Sequence, residues 1–415
     1  MKTAYKGPRV SAGLSLIELM IALLIGTILV LGLVQVFSAS RTAYQLSQGI
    51  ARNQESSRFA VDFLTRDLRM AGHAGCVNDQ SLLSTDGTTI TGGNIRSLFL
   101  NGANRNANNV AALLFPLRFD VSIQGYEANG TAPGNTRQIP AALVAGAAAD
   151  WSPVLPADIS GLNPAPIRGS DIVVLRFLSA EEAPITTFNA TGTPAVVYPA
   201  ASGALATGGS GLFAIADCRG ASVFQASAAP TATSMNVTQT GLNASDLTFI
   251  STHDSSLAYK AGSASLYRAE SMAYYVAFSP QAQAPALYRV RWISTPGNGA
   301  LTAVTEEMVD GVESMQLLFG RDSAPLTSPP SGYISSMVPA STIGDETNAA
   351  AWRRVGAVQL GLMVRNSGNR EGAAATQSLI PLSVLEVQMP VQTPDGNYRS
   401  VYETTVALRN RLYGN

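Results

Sequence analysis

The chain has 415 residues, 46% of them hydrophobic and 13% charged, with a formal net charge of −1. The charged share is about half the globular norm and the apolar share is ordinary, which excludes a disordered chain. Near-neutral charge provides no basic field for nucleic acid, and two Cys with two His argue against a zinc protein or a disulfide-dense toxin. An enzyme is not excluded on these grounds.

Residues 1–13 carry Lys2, Lys6 and Arg9 and no acid. From Leu19 to Ser40 there are 22 residues without a charge, between Glu18 and Arg41. As a helix they span ~33 Å, enough to cross a hydrocarbon core. The basic leader places residues 1–13 in the cytoplasm and the rest across the inner membrane. A secretory signal has a shorter apolar region with a small-x-small cleavage site. A plain anchor does not account for Glu18, an acid at the start of the apolar stretch. A cut after Gly13 would give Leu14 a positively charged α-amine one helical turn from Glu18.

The run Gly13–Met20 (GLSLIELM) resembles the class III signal of type IV pilins and pseudopilins. The resemblance implies prepilin peptidase cleavage between Gly13 and Leu14 and N-methylation of Leu14, which keeps its charge. It also implies retention of the apolar helix and an assembly role for Glu18. Leu14 departs from the Phe or Met commoner at that position.

No proline occurs between Pro8 and Pro116, and residues 44–70 have amphipathic helical periodicity. Phe59, Ala60, Val61, Phe63, Leu64, Leu68 and Met70 fill one arc of ~200°, in which Asp67 is the polar exception. One helix from Leu14 to Ala71 would be ~87 Å long. Gly26, Gly32 and Gly49 are its weak points, and Gly72 and Gly75 are stop signals.

Beyond the helix, strand-like runs recur at 171–178, 212–216, 272–278, 287–293, 355–364 and 398–408. No βαβ alternation occurs, so a Rossmann-like sheet is not expected. Segments 101–167 and 185–245, rich in Ala, Gly, Ser, Thr, Asn and Pro, read as surface loops or insertions. Ala204–Gly211 has a flexible composition without phosphate-loop spacing. Cys76 and Cys218 either form a disulfide closing a loop of about 140 residues or remain two free thiols.

Motifs for chemistry are sparse. His73 reads as a turn residue. His253–Asp254 has the residue types of a triad but not its convergent geometry. Glu181–Glu182 and Glu306–Glu307 read as solvated acids, Asp395–Gly396 as a hairpin turn, and Asp345–Glu346 as lacking a calcium ligand series. No metal or other cofactor is implied, and an enzyme is not expected.

Arg66–Cys76, Met308–Asp322, Trp352–Arg365 and Tyr398–Leu412 resemble the PilW family of minor pilins, whereas residues 80–300 resemble no nameable family. The expected fold is α+β: a long N-terminal helix, its first half in the membrane, packed on a mostly antiparallel β domain. The expected organisation is a leader (1–13), a transmembrane half-helix (14–40), an amphipathic half-helix (41–72) and a globular part (73–415). The resemblance implies a minor pilin that primes type IV pilus assembly at or near the tip. Its implied partners are other minor pilins, the major pilin, a large tip adhesin, prepilin peptidase and inner-membrane lipid, but no nucleic acid. The alternatives are a J-type minor pseudopilin of type II secretion and a membrane-anchored periplasmic binding module or enzyme.

Overall fold

The computed structural model describes residue 13 and residues 15–77, 95–100, 113–140, 143–189, 193–207, 209–218, 220–247, 259–326, 328, 330–365, 382–391 and 397–411. Leu14, His253 and Asp395–Gly396 lie outside the described residues.

A single helix, α1 (Leu16–Met70), runs 55 residues, or ~82 Å. It continues unbroken through Gly26, Gly32 and Gly49. It ends where expected: Gly72 and Gly75 both adopt positive φ, at 76° and 75°. A Cβ at Gly72 would meet the Arg411 side chain at 2.8 Å, so glycine is required there by conformation and by space.

The strands in chain order are β1 (Ile95–Ser97), β2 (Ile123–Ala128), β3 (Trp151–Ser152), β4 (Ile172–Pro184), β5 (Thr187–Asn189), β6 (Ala195–Val197), β7 (Leu212–Ala216), β8 (Ala221–Gln225) and β9 (Ser234–Asn236). They continue with β10 (Ser265–Ser279), β11 (Ala284–Ser294), β12 (Leu301–Asp310), β13 (Val312–Asp322), β14 (Ile334–Val338), β15 (Val355–Arg365), β16 (Leu382–Val384), β17 (Val387–Met389) and β18 (Arg399–Ala407). All six strand-like runs read from the sequence fall on strands.

Two sheets carry the architecture. The larger has nine strands branching at β10, and the smaller runs β14-β13-β15-β18, all antiparallel. β4 pairs along one edge of β10, while β7 and β11 share the other. β7 takes Ser265–Arg268 and β11 takes Met272–Ser279. β10 therefore joins the β7–β8 lobe to the β11–β12 hairpin. β1 lies parallel to β8, an exception to the antiparallel rule.

The distal half of α1 packs between the two sheets. Leu64 and Leu68 are fully buried in one core with Val173 and Leu175 of β4, Leu317 of β13 and Leu360 of β15. Each such leucine contributes about 1.5–3 kcal/mol. The buried face differs from the expected arc. Asn53 and Ser57 are buried, whereas Phe59 is 49% exposed. The sheets meet a 4-3 seam narrower than the apolar arc, and Phe59 falls at its margin.

The segments read as surface loops contain interior structure. β2 lies within 101–167, β5 to β9 lie within 185–245, and β2, β7 and β8 are buried along their whole length. Small side chains weaken the hydropathy signal while permitting close approach. At Gly125 a Cβ would stand 2.3 Å from the Phe319 ring, so only glycine lets β2 reach β13. The segment read as flexible includes a short helix, Gly203–Thr207.

Burial raises several phenols. Tyr198, Tyr267 and Tyr288 are pushed up to about 12, and Tyr274 and Tyr275 further still. A phenol raised on folding contributes stability that is complete below the unfolded value of 10.0 and is lost as pH climbs through the folded value. The unfolding temperature should therefore fall from about pH 10 upward, with tyrosinate absorbance at ~295 nm rising in the same transition. Free titration near pH 10 with no change in melting would contradict these burials.

Candidate assembly interface

The proximal half of α1 has no protein around it. Leu16 is 77% exposed and Phe37 is 71% exposed. The most apolar 18-residue window has a mean hydropathy of 2.7 and no buried residue. Such a surface is stable only in lipid or against other apolar helices. Two of its hydroxyls bond within the helix. Thr27 Oγ1 donates to the Leu23 carbonyl at 2.5 Å, and Thr42 Oγ1 to the Ser38 carbonyl at 3.0 Å. These i−4 bonds suit a helix without water.

At the helix start, Ser15 is extended and precedes the first turn. Glu18 occupies the third helical position, and its Oε2 accepts the Ser15 amide at 3.3 Å. The carboxylate thus faces the positive end of the helix dipole.

Cys76 and Cys218 are bonded to each other across 142 residues of chain. Cys76 lies six residues beyond the end of α1, and Cys218 lies in the β7–β8 turn. That turn is closed by Asp217, whose amide reaches the Gly220 carbonyl at 2.9 Å and whose Oδ1 accepts the Gly220 amide at 3.0 Å. The exit from α1 is also fastened to β4. The Leu178 amide donates to the His73 carbonyl at 2.7 Å, and His73 Nδ1 stands 2.8 Å from the Leu178 carbonyl. A carbonyl only accepts, so Nδ1 carries the proton. His73 is a turn residue with a structural partner.

The adjacent acids diverge rather than pair. Glu306 accepts from Arg289 Nη2 at 2.6 Å, whereas Glu307 accepts from the Ser279 and Tyr288 hydroxyls at 2.7 and 2.8 Å. Glu182 accepts from the Tyr267 hydroxyl at 2.6 Å. Asp345 caps a short helical turn by accepting the Thr347 amide at 3.0 Å. Among the described residues, no three His, Cys, Asp or Glu side chains are grouped to hold a metal.

Residues 273–410 match the family described as Type IV Pilus-assembly protein W, and residues 8–34 match the Prokaryotic N-terminal methylation motif. The chain is PilW-like. A comparison with curated proteins finds no match. The PilW match begins inside β10, beyond the fork where β7 pairs, and runs through β18. It includes Met308–Asp322 and Trp352–Arg365 but excludes Arg66–Cys76, and it reaches into the 80–300 segment that had shown no resemblance. The PilW region thus supplies the four-stranded sheet and the β11–β12 hairpin, which hold α1 together with β4, while β4 and the β7–β8 lobe lie outside it. The N-terminal motif and the apolar helix fit an inner-membrane-anchored pilin. Pilin-family regions at both ends point to a structural pilus component rather than an enzyme. Sequence reasoning noted Asp67 as an exception on the apolar arc without a role for it, and missed Asn53. Their signal was a 14-residue interval on one face of α1.

Proposed function

We propose that this PilW-like chain is a minor pilin that primes type IV pilus assembly and stands at or near the pilus tip. The observation that carries the reading is a PilW region gripping the distal half of a helix whose proximal half is wholly uncovered and begins in a methylation motif. Prepilin peptidase cuts between Gly13 and Leu14 on the cytoplasmic side, and Leu14 is N-methylated. The globular part stands in the periplasm until assembly carries it to the cell surface. Within a helix bundle, Glu18 pairs with the Leu14 amine of a neighbouring minor or major pilin. A buried pair of this kind contributes little net stability but selects one axial register. A large tip adhesin would contact the end of the molecule distal to α1.

The test is the yield of sheared surface pili, measured on the major pilin, from an in-frame deletion strain and its complement. Loss of pili with recovery on complementation is the expected result. Normal pili with defective export of extracellular enzymes would instead assign the chain to type II secretion.

A further inference from the structure

Along α1 the face against the sheets carries the buried Asn53, Ser57, Ala60, Leu64 and Leu68, with the part-buried Asp67 beside Leu68; the 4-3-4 spacing over Asn53–Leu64 is of the kind used in heptad packing. Only Leu64 and Leu68 of these buried residues are large and apolar, and both lie in the distal part, so the seam around Asn53, Ser57 and Ala60 has little apolar relief to resist sliding. The two strongly polar members stand 14 residues apart, ~21 Å along the axis. Asn53 is 2% exposed. Its Nδ2 donates to the Val364 carbonyl at 3.2 Å and to Ser400 Oγ at 2.9 Å, and these two residues face each other across β15 and β18. Asp67 Oδ2 accepts the Tyr274 hydroxyl at 2.6 Å and lies 3.5 Å from Arg289 Nη1. Tyr274 and Arg289 face each other across β10 and β11. Each polar residue therefore engages one cross-strand pair, and the two pairs belong to different sheets.

We infer that Asn53 and Asp67 are paired positioning residues that lock the axial register of α1 in the PilW region. A slide of one turn, ~5.4 Å, would leave small and apolar groups in contact. It would, however, withdraw Asn53 from the Val364 carbonyl and Asp67 from Tyr274 and Arg289, leaving buried polar groups unpaired. The device resembles a single polar residue specifying register in a coiled-coil seam. Its value for assembly rests on the role proposed for Glu18. Thirty-five residues separate Glu18 from Asn53, so the lock holds the globular part at a fixed height, ~53 Å along the helix from that carboxylate.

The test is a distance measurement on the full chain in lipid nanodiscs, by pulsed electron spin resonance. With Cys76 and Cys218 bonded to each other, spin labels enter only at the introduced Gln48→Cys and Ser335→Cys. The parent should show one narrow distance. N53L/D67L should add a second population displaced by ~5 or ~10 Å, one turn or one heptad. D67N alone, which keeps Asn53 in place and retains an acceptor for Tyr274, should keep most of the parent peak. If N53L/D67L does not fold, N53L alone decides, because Leu has a similar volume and removes no charge; its distribution should broaden at least twofold. A single parent-like distance in the double variant, or in N53L when only that folds, overturns the inference. The distances are read without pili, so failure of the lock and failure of the pilus assignment give separate signatures.

Discussion

Glu18→Ala protein is expected to fold, reach the membrane and fail to enter pili. The globular core involves α1 only from Asn53 onward, so the substitution touches no packed residue. Within an apolar bundle it leaves the neighbour's Leu14 amine without a counter-charge. Removing one member of a buried ion pair costs about 3–5 kcal/mol, more than 100-fold in occupancy. Glu18→Gln should fail to a similar degree, since it keeps the shape and loses the charge. The measurement is the ratio of the protein in sheared pili to that in membranes, beside the melting temperature of the purified chain. Parent-level incorporation of Glu18→Ala would remove the charge pair from the mechanism. A lowered melting temperature would place Glu18 in folding instead.

The second large effect is expected from Cys76→Ser/Cys218→Ser. The bond closes a 142-residue interval, for which chain entropy predicts up to ~5 kcal/mol of stabilisation. It joins the exit of α1 to the β7–β8 turn, and β10 joins the same lobe to the PilW region at its other end. Without the bond, the exit peptide retains its links to β4 through His73 and Leu178. The lobe should therefore open before the helix leaves the core. Denaturant titration should show a lower midpoint, and limited proteolysis should cut first between Cys76 and β10. Reductant should reproduce both effects in the parent chain and change neither in the variant. Equal midpoints for parent and variant would mean that β10 and the core hold the lobe unaided.

How much of this was legible beforehand varies with the range of the interaction. The apolar run, Glu18 at its start and the amphipathic continuation are local patterns, and α1 follows from them to within two residues at its start and one at its end. Runs such as 212–216 and 355–364 announced strands through β-branched and aromatic residues. The strand β2 (IQGYEA) did not, because its burial depends on Gly125 meeting Phe319 from a distant part of the chain. Asp67 looked misplaced on an apolar face until β10 and β11 brought Tyr274 and Arg289 to it.

The buried arginines make the same point. Arg176, Arg353, Arg354 and Arg411 are at most 2% exposed, although sequence alone assigns arginine to the surface. Each donates to backbone carbonyls of segments remote or irregular in the chain. Arg176 reaches the Val121 and Phe115 carbonyls at 2.8 and 2.7 Å, with its guanidinium 4.7 Å above the Phe115 ring. Arg353 reaches the Asp120 carbonyl at 3.0 Å, and Arg354 holds the Ser328 carbonyl. Arg411 reaches the Val355 carbonyl at 3.0 Å. By itself the sequence determined the membrane-length helix, the processing motif and the strand-rich class, because periodicity and charge spacing act over a few residues. Only the tertiary structure decided the sheet fork, the helix face that is buried and the partners of Asn53 and Asp67. Those depend on groups hundreds of residues apart meeting at hydrogen-bond distance, where an unpaired buried polar group costs more than any local propensity.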